Sequence, residues 1–237
     1  MKTIRTLATL LFAFLLLGCN QTNSKKKENN NSSDRNDSKI ENTWTGKYKL
    51  NSGIIKYKLD MGKEMAAMGS TMEMTKYFDN HGEKEMNETS TKISVAGMNM
   101  NTTSRSIIKD GWAYNWQTDK KTGYKTKITD FDPEQLDYRN LKEEIMDKYK
   151  MKDEGTATVQ DKTCHVYSYT ADMKGKSMSG KSYIWDNIMM KMETTMEGRT
   201  MGMEVSELTE NAKLESSLFE IPTDVVFKEI AAPVKSK

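Results

Sequence analysis

Cysteine, histidine and proline are scarce in this chain of 237 residues, which has two cysteines, two histidines and three prolines. So few histidines and cysteines leave little material for a zinc site or for a nucleophile paired with a histidine. The sequence also lacks an HExxH motif, a P-loop and a GxGxxG motif. These absences favour a protein that is not an enzyme and that carries neither a cofactor nor a metal ion.

The longest hydrophobic run lies at the N-terminus and has the layout of a bacterial export signal. Two basic residues precede an apolar stretch from Leu7 to Leu17, which is shorter than the roughly 20 residues that span a bilayer. The run ends in Leu16-Leu17-Gly18-Cys19, which resembles the lipobox of bacterial lipoproteins. We therefore predict a lipoprotein signal peptide at residues 1–18 and attachment of acyl chains such as palmitate at Cys19.

Removal of the signal peptide balances the charge of the chain. The sequence has 36 Lys+Arg and 34 Asp+Glu, but Lys2 and Arg5 belong to the signal, so 34 of each sign remain. A balanced surface gives no electrostatic reason to bind nucleic acid. The expected partner is a membrane, held through the N-terminal lipid. Asn20 follows the cysteine where lipoproteins retained in the inner membrane carry aspartate, which favours the outer membrane, facing the periplasm.

Composition then divides the chain after the lipidated cysteine. Residues 20–43 contain no aromatic residue and a single isoleucine among asparagines, serines and charges, so they cannot bury enough apolar surface to fold. We predict a lipidated cysteine with a disordered tether at 19–43, one folded domain at 44–230 and a tail at 231–237.

The folded part reads as mostly β-strand, because short alternating runs are separated by turn residues. Asp110-Gly111 predicts a two-residue hairpin. Cys164 alternates with Val166, which predicts a buried thiol, and it has no second cysteine for a disulfide once Cys19 is lipidated. The predicted strands are 47–60 (interrupted at 51–53), 71–78, 83–88, 104–108, 112–117, 124–128, 155–160, 163–170, 181–185, 188–197 and 200–208.

One segment has a helical pattern instead. Asp132 can cap a helix whose first residue is Pro133, and apolar residues follow at helical spacing. We predict a helix of about four turns, from Pro133 to about Lys150, that covers the sheet as a lid. The lid contacts are predicted to be Leu136, Leu141, Ile145 and Tyr149.

Methionine is abundant where leucine is rare: 18 methionines and seven leucines follow Cys19. Many form Met-x-Met pairs, whose side chains share one face of a strand. Gly198-Arg199 fits a type II′ turn, which would place Met196 opposite Met201, Thr194 opposite Met203 and Met192 opposite Val205. The predicted hydrophobic face consists of Met72, Met74, Met190, Met192, Met196, Met201, Met203 and Val205.

Three interpretations of this face remain open. It is a core that uses methionine in place of leucine, or an adaptable apolar cavity for a lipid or acyl chain, or a soft-metal site for Cu(I). Copper sites usually add histidine or cysteine to methionine, yet His81 lies in a predicted turn and His165 is predicted to face solvent. The metal site is therefore the weakest of the three.

A pattern of four segments runs through the C-terminal half, at 164–169, 181–187, 190–193 and 218–222, and segments 53–57, 110–114 and 132–136 of the front half are compatible with it. This pattern resembles the LolA/LolB-like lipoprotein carrier superfamily, and most closely its uncharacterised lipoproteins with a domain of unknown function. The resemblance covers about 46–227. It implies a strongly curved antiparallel half-barrel whose concave apolar face is covered by helices and holds acyl chains; 61–69 is a candidate second helix.

The predicted fold is therefore mainly β (α+β), a LolA-like half-barrel with one or two covering helices. The predicted function is non-catalytic binding of a lipid or acyl chain by a membrane-anchored envelope lipoprotein. The alternatives are a structural or sensory lipoprotein with a methionine-rich core and an unknown protein partner, and a periplasmic Cu(I)-binding protein.

Overall fold

The described residues form one long sheet with two short helices. The structure is a computed structural model, and it describes residues 44–95, 98–128, 136–173 and 176–230. Cys19, the predicted tether, and Asp132 and Pro133 of the predicted helix lie outside these residues. The strands are β1 Gly53–Asp60, β2 Thr71–Asp79, β3 Lys84–Val95, β4 Met98–Lys109, β5 Trp112–Gln117, β6 Thr122–Lys127, β7 Lys152–Val159, β8 Lys162–Met173, β9 Lys176–Trp185, β10 Ile188–Met196, β11 Arg199–Glu210 and β12 Val226–Ile230.

Strand order confirms the predicted fold, a curved, open and almost wholly antiparallel sheet. The order is β12-β6-β5-β4-β3-β2-β1-β11-β10-β9-β8-β7. Consecutive strands pair from β1 to β6 and from β7 to β11, whereas β6 and β7 do not pair, and β11 returns to pair with β1. The last strand, β12, was not predicted; it pairs with β6 in parallel.

Two-residue hairpins set the register of four strand pairs. Each has both central residues at positive φ, which gives type I′ turns that match the twist of the strands. Asp110-Gly111 confirms the prediction for its hairpin, with φ of 52° and 77°. The other three turns are Gln160-Asp161, Asp186-Asn187 and Glu197-Gly198.

The predicted turn between β10 and β11 was wrong by one residue. Its central residues are Glu197-Gly198, with φ of 51° and 75°, and not Gly198-Arg199. Met196 therefore pairs with Arg199, Thr194 with Met201 and Met192 with Met203. A type I′ turn needs positive φ at both positions, and glycine takes the second of them here.

The predicted four-turn helix was also wrong. Within the described residues it is replaced by a 3₁₀ turn at Tyr138–Asn140 and a short helix, α2, at Glu143–Lys148. The Asp137 carboxylate accepts hydrogen bonds from the Arg139 backbone N–H and guanidinium at 3.2, 2.8 and 2.9 Å, which fixes a local turn in place of a helix.

The other helix, α1 at Lys63–Ala67, lies within the predicted second helical segment, but none of its residues is buried. It therefore does not cover the core. No helix in the described part of the chain is long and apolar enough to cross a bilayer.

The two faces of the sheet are covered by different segments. Residues 136–151, here called the lid segment, pack on the face that carries Tyr57, which we call the lid face. The opposite face, the back face, carries Met86, Ile107 and Trp116 at the other half of the sheet. There the C-terminal segment supplies Phe219, which is buried against them.

Candidate functional site

Two rows of side chains cross the lid face from an open end to a covered end. The first row consists of the direct cross-strand partners Met72, Leu59, Met203, Met192, Ser182 and Tyr167. The second consists of Met201, Thr194, Gly180 and Tyr169. Each row begins at a methionine, on β2 or on β11, and finishes at a tyrosine on β8.

The lid segment covers the tyrosine ends of these rows. The ring of Tyr138 lies 5.6 Å from that of Tyr167, centroid to centroid, and both side chains are buried. Tyr149 is also buried in this cluster. The other sequence-predicted lid contacts, Leu136, Leu141 and Ile145, are partly buried and pack against the same cluster.

A glycine lets the second row close under the lid. The Tyr169 ring lies over Gly180, so that a Cβ there would fall 2.5 Å from the Tyr169 hydroxyl oxygen. That hydroxyl shares a hydrogen bond with Thr194 Oγ1 on the far side of the glycine. The buried polar groups in this row are therefore satisfied, as burial requires.

The methionines of the predicted hydrophobic face occupy two environments. Met74, Met190 and Met203 are buried at 5%, 0% and 6% exposure, as is Val205 at 1%. The remaining four are half-buried and lie toward the tip of the β10–β11 hairpin and the start of β2. We call these four the methionine rim: Met72, Met192, Met196 and Met201.

A cavity of about 530 Å³ lies beside the rim and borders β1, β10 and β11. Its lining includes the rim residues Met192 and Met201, together with charged residues that alternate onto the back face, among them Lys191 and Glu204. On that face, Lys191 Nζ lies 3.3 Å from the Glu204 carboxylate.

Residues 44–50, which we call the strap, tie the lid segment to the sheet. The Asn187 amide donates to the Lys47 carbonyl at 2.7 Å and accepts from the Tyr138 backbone N–H at 2.9 Å. Asn187 is itself buried in the β9–β10 turn. One side chain thus joins the strap, the lid segment and a hairpin.

A buried ion cluster lies next to the strap. The Glu85 carboxylate is 2.6 Å from Lys47 Nζ and 3.9 Å from Lys76 Nζ, and the Glu85 side chain is only 8% exposed. Burial alone would raise the pKa of Glu85, but the two lysines outweigh it and hold the pKa below its usual value. Glu85 is therefore ionised in the folded protein at neutral pH.

The lid face changes character across β3–β6, and the sequence did not predict this. Where an apolar concave face was expected, this part of the sheet carries uncharged polar groups, which we call the polar half. Its side chains include Asn87, Thr89, Ser104, Ser106, Asn115, Gln117, Tyr124 and Thr126. Met86, Ile107, Tyr114 and Trp116 of the same strands face the back, where the C-terminal segment covers them.

Alternation within β3–β5 contained part of this signal. Met86, Ile107, Tyr114 and Trp116 alternate with polar residues, so the strands are visibly two-faced. Which of the two faces adjoins the lid depends on the pairing of β2 with β1, which sequence alone does not give.

The thiol and imidazole groups do not form a metal site in the described part of the chain. No three His, Cys, Asp or Glu side chains gather there in a way that could hold a metal ion. Cys164 is fully buried, as predicted, and burial raises the pKa of its thiol to about 11. His165 was predicted to face solvent, whereas in the structure it is half-buried.

No protein-family model matches the chain, and no curated protein matches it. Among solved structures, PNGF-II is similar at 10% identity and a TM-score of 0.37, over 76% of this chain and 31% of PNGF-II. The chain thus spans about a third of that protein.

MucB in complex with MucA(peri) is similar at 10% identity and a TM-score of 0.39, over 73% of this chain and 55% of MucB. A LolA superfamily protein from Nitrosomonas europaea is similar at 7% identity and a TM-score of 0.29, over 73% of this chain and 92% of that one.

Proposed function

We propose that the protein is an envelope lipoprotein that binds a hydrophobic ligand, a lipid or an acyl chain, without catalysis. Cys19 anchors it to the outer membrane, facing the periplasm. The observation that carries the proposal is the methionine rim, whose half-exposed thioethers stand at the open end of two rows that continue into a buried core.

The rim is suited to an apolar ligand of variable shape. Burial of apolar surface contributes about 25 cal/mol per Å², and flexible methionine side chains adapt to different partners. Met72, Met196 and Met201 belong to neither of the described apolar clusters, so their surface remains available. A chain entering at Met201 would meet Thr194 and then Tyr169 under the lid segment.

The lid segment has the properties of a gate. Its helix α2 has six residues, none of them buried, and so short a helix is not stable without tertiary contacts. The lid is held mainly by Tyr138, Tyr149 and the strap. Displacement of these contacts would lengthen the apolar track without disturbing the strand ladder.

The test is the lipid that co-purifies with the full-length protein. Protein extracted from membranes is examined by native mass spectrometry, and its non-covalent lipid is quantified per chain after solvent extraction. We expect a hydrophobic adduct in the wild type. Met201→Glu should lower the amount of lipid per chain at least fivefold, because removal of a carboxylate from water has a large free-energy cost.

Thr209→Glu is the control. Thr209 lies on the same strand, β11, it is exposed, and it pairs with Ile54, whose side chain points to the back face. It should keep the wild-type amount of lipid. Absence of adduct from the wild type, or equal loss in both variants, would leave a structural or sensory lipoprotein as the better account.

A further inference from the structure

The polar half of the lid face presents a grid of hydrogen-bonding groups. Asn87, Ser106, Asn115 and Tyr124 are direct partners on four successive strands. Direct neighbours on one face lie about 5 Å apart, so the four groups form a continuous line. A second line beside it contains Thr89, Ser104 and Gln117.

The chemistry of this grid is uncharged. Its hydroxyls and amides both donate and accept hydrogen bonds. Burial raises the pKa of Tyr124 to about 12, so its hydroxyl remains protonated at every physiological pH. A cation follows the first line at each end: Lys76, opposite Asn87, is buried beside the Glu85 carboxylate, and Lys228 lies opposite Tyr124 on β12.

Two buried polar atoms in the polar half have no hydrogen-bond partner. They are Asn87 Oδ1 and Thr126 Oγ1, and the Thr126 side chain is only 4% exposed. Buried polar atoms are nearly always hydrogen-bonded, so such orphans call for a bound partner. Asn87 and Thr126 lie three strands apart, about 14 Å, so two different ligand hydroxyls are needed. One would donate to the amide oxygen, and the other would donate to, or accept from, the threonine hydroxyl.

We infer that the polar half binds a neutral, hydroxyl-rich group, the chemistry of a sugar ring. Such a group could be the headgroup of a glycolipid whose acyl part reaches the methionine rim, or a free saccharide. Only the glycolipid form rests on the proposed function, because a free saccharide needs no apolar site.

The experiment measures binding of two probes to the full-length protein in detergent. One probe is an array of soluble neutral oligosaccharides, and the other is a set of phosphatidylcholine vesicles with or without galactosyl diacylglycerol. We expect binding to at least one saccharide or to the galactolipid vesicles above plain vesicles. Binding to the vesicles alone identifies a headgroup, and binding to the soluble array identifies a free saccharide.

Variants then locate the site. Ser106→Val with Asn115→Leu should weaken binding at least tenfold, and Asn115→Ala alone serves if the double variant does not fold. Thr103→Val, on the back face of β4, is the control and should change binding less than twofold. Binding to neither probe, or equal binding by all variants, would overturn the inference.

The two proposals fail separately. Met201→Glu should remove co-purifying lipid without weakening binding to soluble saccharide, whereas the polar-half variants should weaken saccharide binding and keep any co-purifying lipid that carries no sugar. If no lipid adduct is found while saccharide binding is intact, the proposal of a hydrophobic ligand is rejected and the saccharide inference stands.

Discussion

At the scale of single residues, methionine has two roles on the lid face. Met190 and Met203 fill closed space and are almost inaccessible, whereas Met201, two residues from Met203 on the same face, is partly exposed. A closed core and a partly exposed methionine surface therefore occur along one strand, so the first two of the three interpretations need not exclude each other.

Alanine substitution should separate these roles. Met203→Ala should lower the free energy of unfolding by about 2–5 kcal/mol, because it removes buried surface and leaves a void. Met201→Ala should lower it by less than about 1.5 kcal/mol, since its side chain is already partly in solvent. Urea unfolding of both variants checks this, and equal large losses would make Met201 part of a closed core.

Glu85 should make stability depend on pH in the acid range. Its pKa is lowered in the folded protein, so the stabilisation is present above the pKa of an unfolded glutamate, about 4.3, and is lost as pH falls through the folded pKa. Glu85→Gln should lower the free energy of unfolding by about 3–5 kcal/mol at pH 7, because it removes the buried negative charge beside Lys47 and Lys76.

The same substitution in an exposed pair provides the control. Glu207 lies 2.7 Å from Lys56 with both side chains about half exposed, so Glu207→Gln should change little. Unfolding curves from pH 7 to pH 3 should converge for wild type and Glu85→Gln. Parallel curves across that range would show that Glu85 does not cause the acid sensitivity.

At the scale of elements, the lid segment should open more readily than the hairpin it covers. It has one short helix and a few anchoring side chains, whereas β10 and β11 are paired on both sides within the sheet. We expect amides of residues 143–149 to exchange at least tenfold faster than those of 190–194 and 202–206. Equal protection in hydrogen-exchange mass spectrometry would indicate a fixed cover and not a gate.

Asn187 allows the gate to be loosened deliberately. Asn187→Gly keeps the positive φ of 67° accessible but removes both bonds of the side chain to the strap and the lid. Exchange should accelerate in the lid segment and remain unchanged in β3 and β4. Uniform acceleration across the domain would mean global destabilisation.

Sequence patterns predicted faces better than partners. The β10–β11 turn was placed one residue too late and the pairing slipped by two, yet every side chain stayed on its predicted face because the strand period is two. The helix prediction was wrong because the Asp137 carboxylate accepts a hydrogen bond from the backbone N–H of Arg139, and the Asn187 amide oxygen accepts one from the backbone N–H of Tyr138. The second bond comes from a residue that is distant in sequence, so local pattern does not predict it. The polar half could not be predicted, because its position on the lid face depends on the pairing of β2 with β1, which sequence alone does not give.

At the scale of the whole molecule, the sheet is divided between its two faces. The lid face is apolar on β1, β2 and β8–β11 and polar on β3–β6, while the back face of β3–β5 is closed by the C-terminal segment. The hydrophobic ligand that we propose would therefore be confined to one half of the lid face. This division distinguishes the chain from a half-barrel that is apolar throughout.

The predicted lipid attachment at Cys19 would determine which membrane the lid face adjoins. We expect Cys19→Ser to leave the protein unprocessed or soluble, because a lipid at this cysteine is the predicted attachment to the bilayer. Fractionation with a carbonate wash checks this, and Cys164→Ser, which alters the buried thiol, is the control. Mutant protein that stays in the washed membrane at its processed size would contradict lipid anchoring at Cys19.

The most direct measurement of the central claim is the position of a bound acyl chain on the sheet. Cells are fed a fatty acid with a photoactivatable diazirine and an alkyne, irradiated, and the full-length protein is digested and mapped by mass spectrometry. The account predicts crosslinks at Met72 and within 192–203, lost in Met201→Glu and kept in Thr209→Glu. Crosslinks concentrated on β3–β6 or on the back face, with none at the methionine rim, would contradict it.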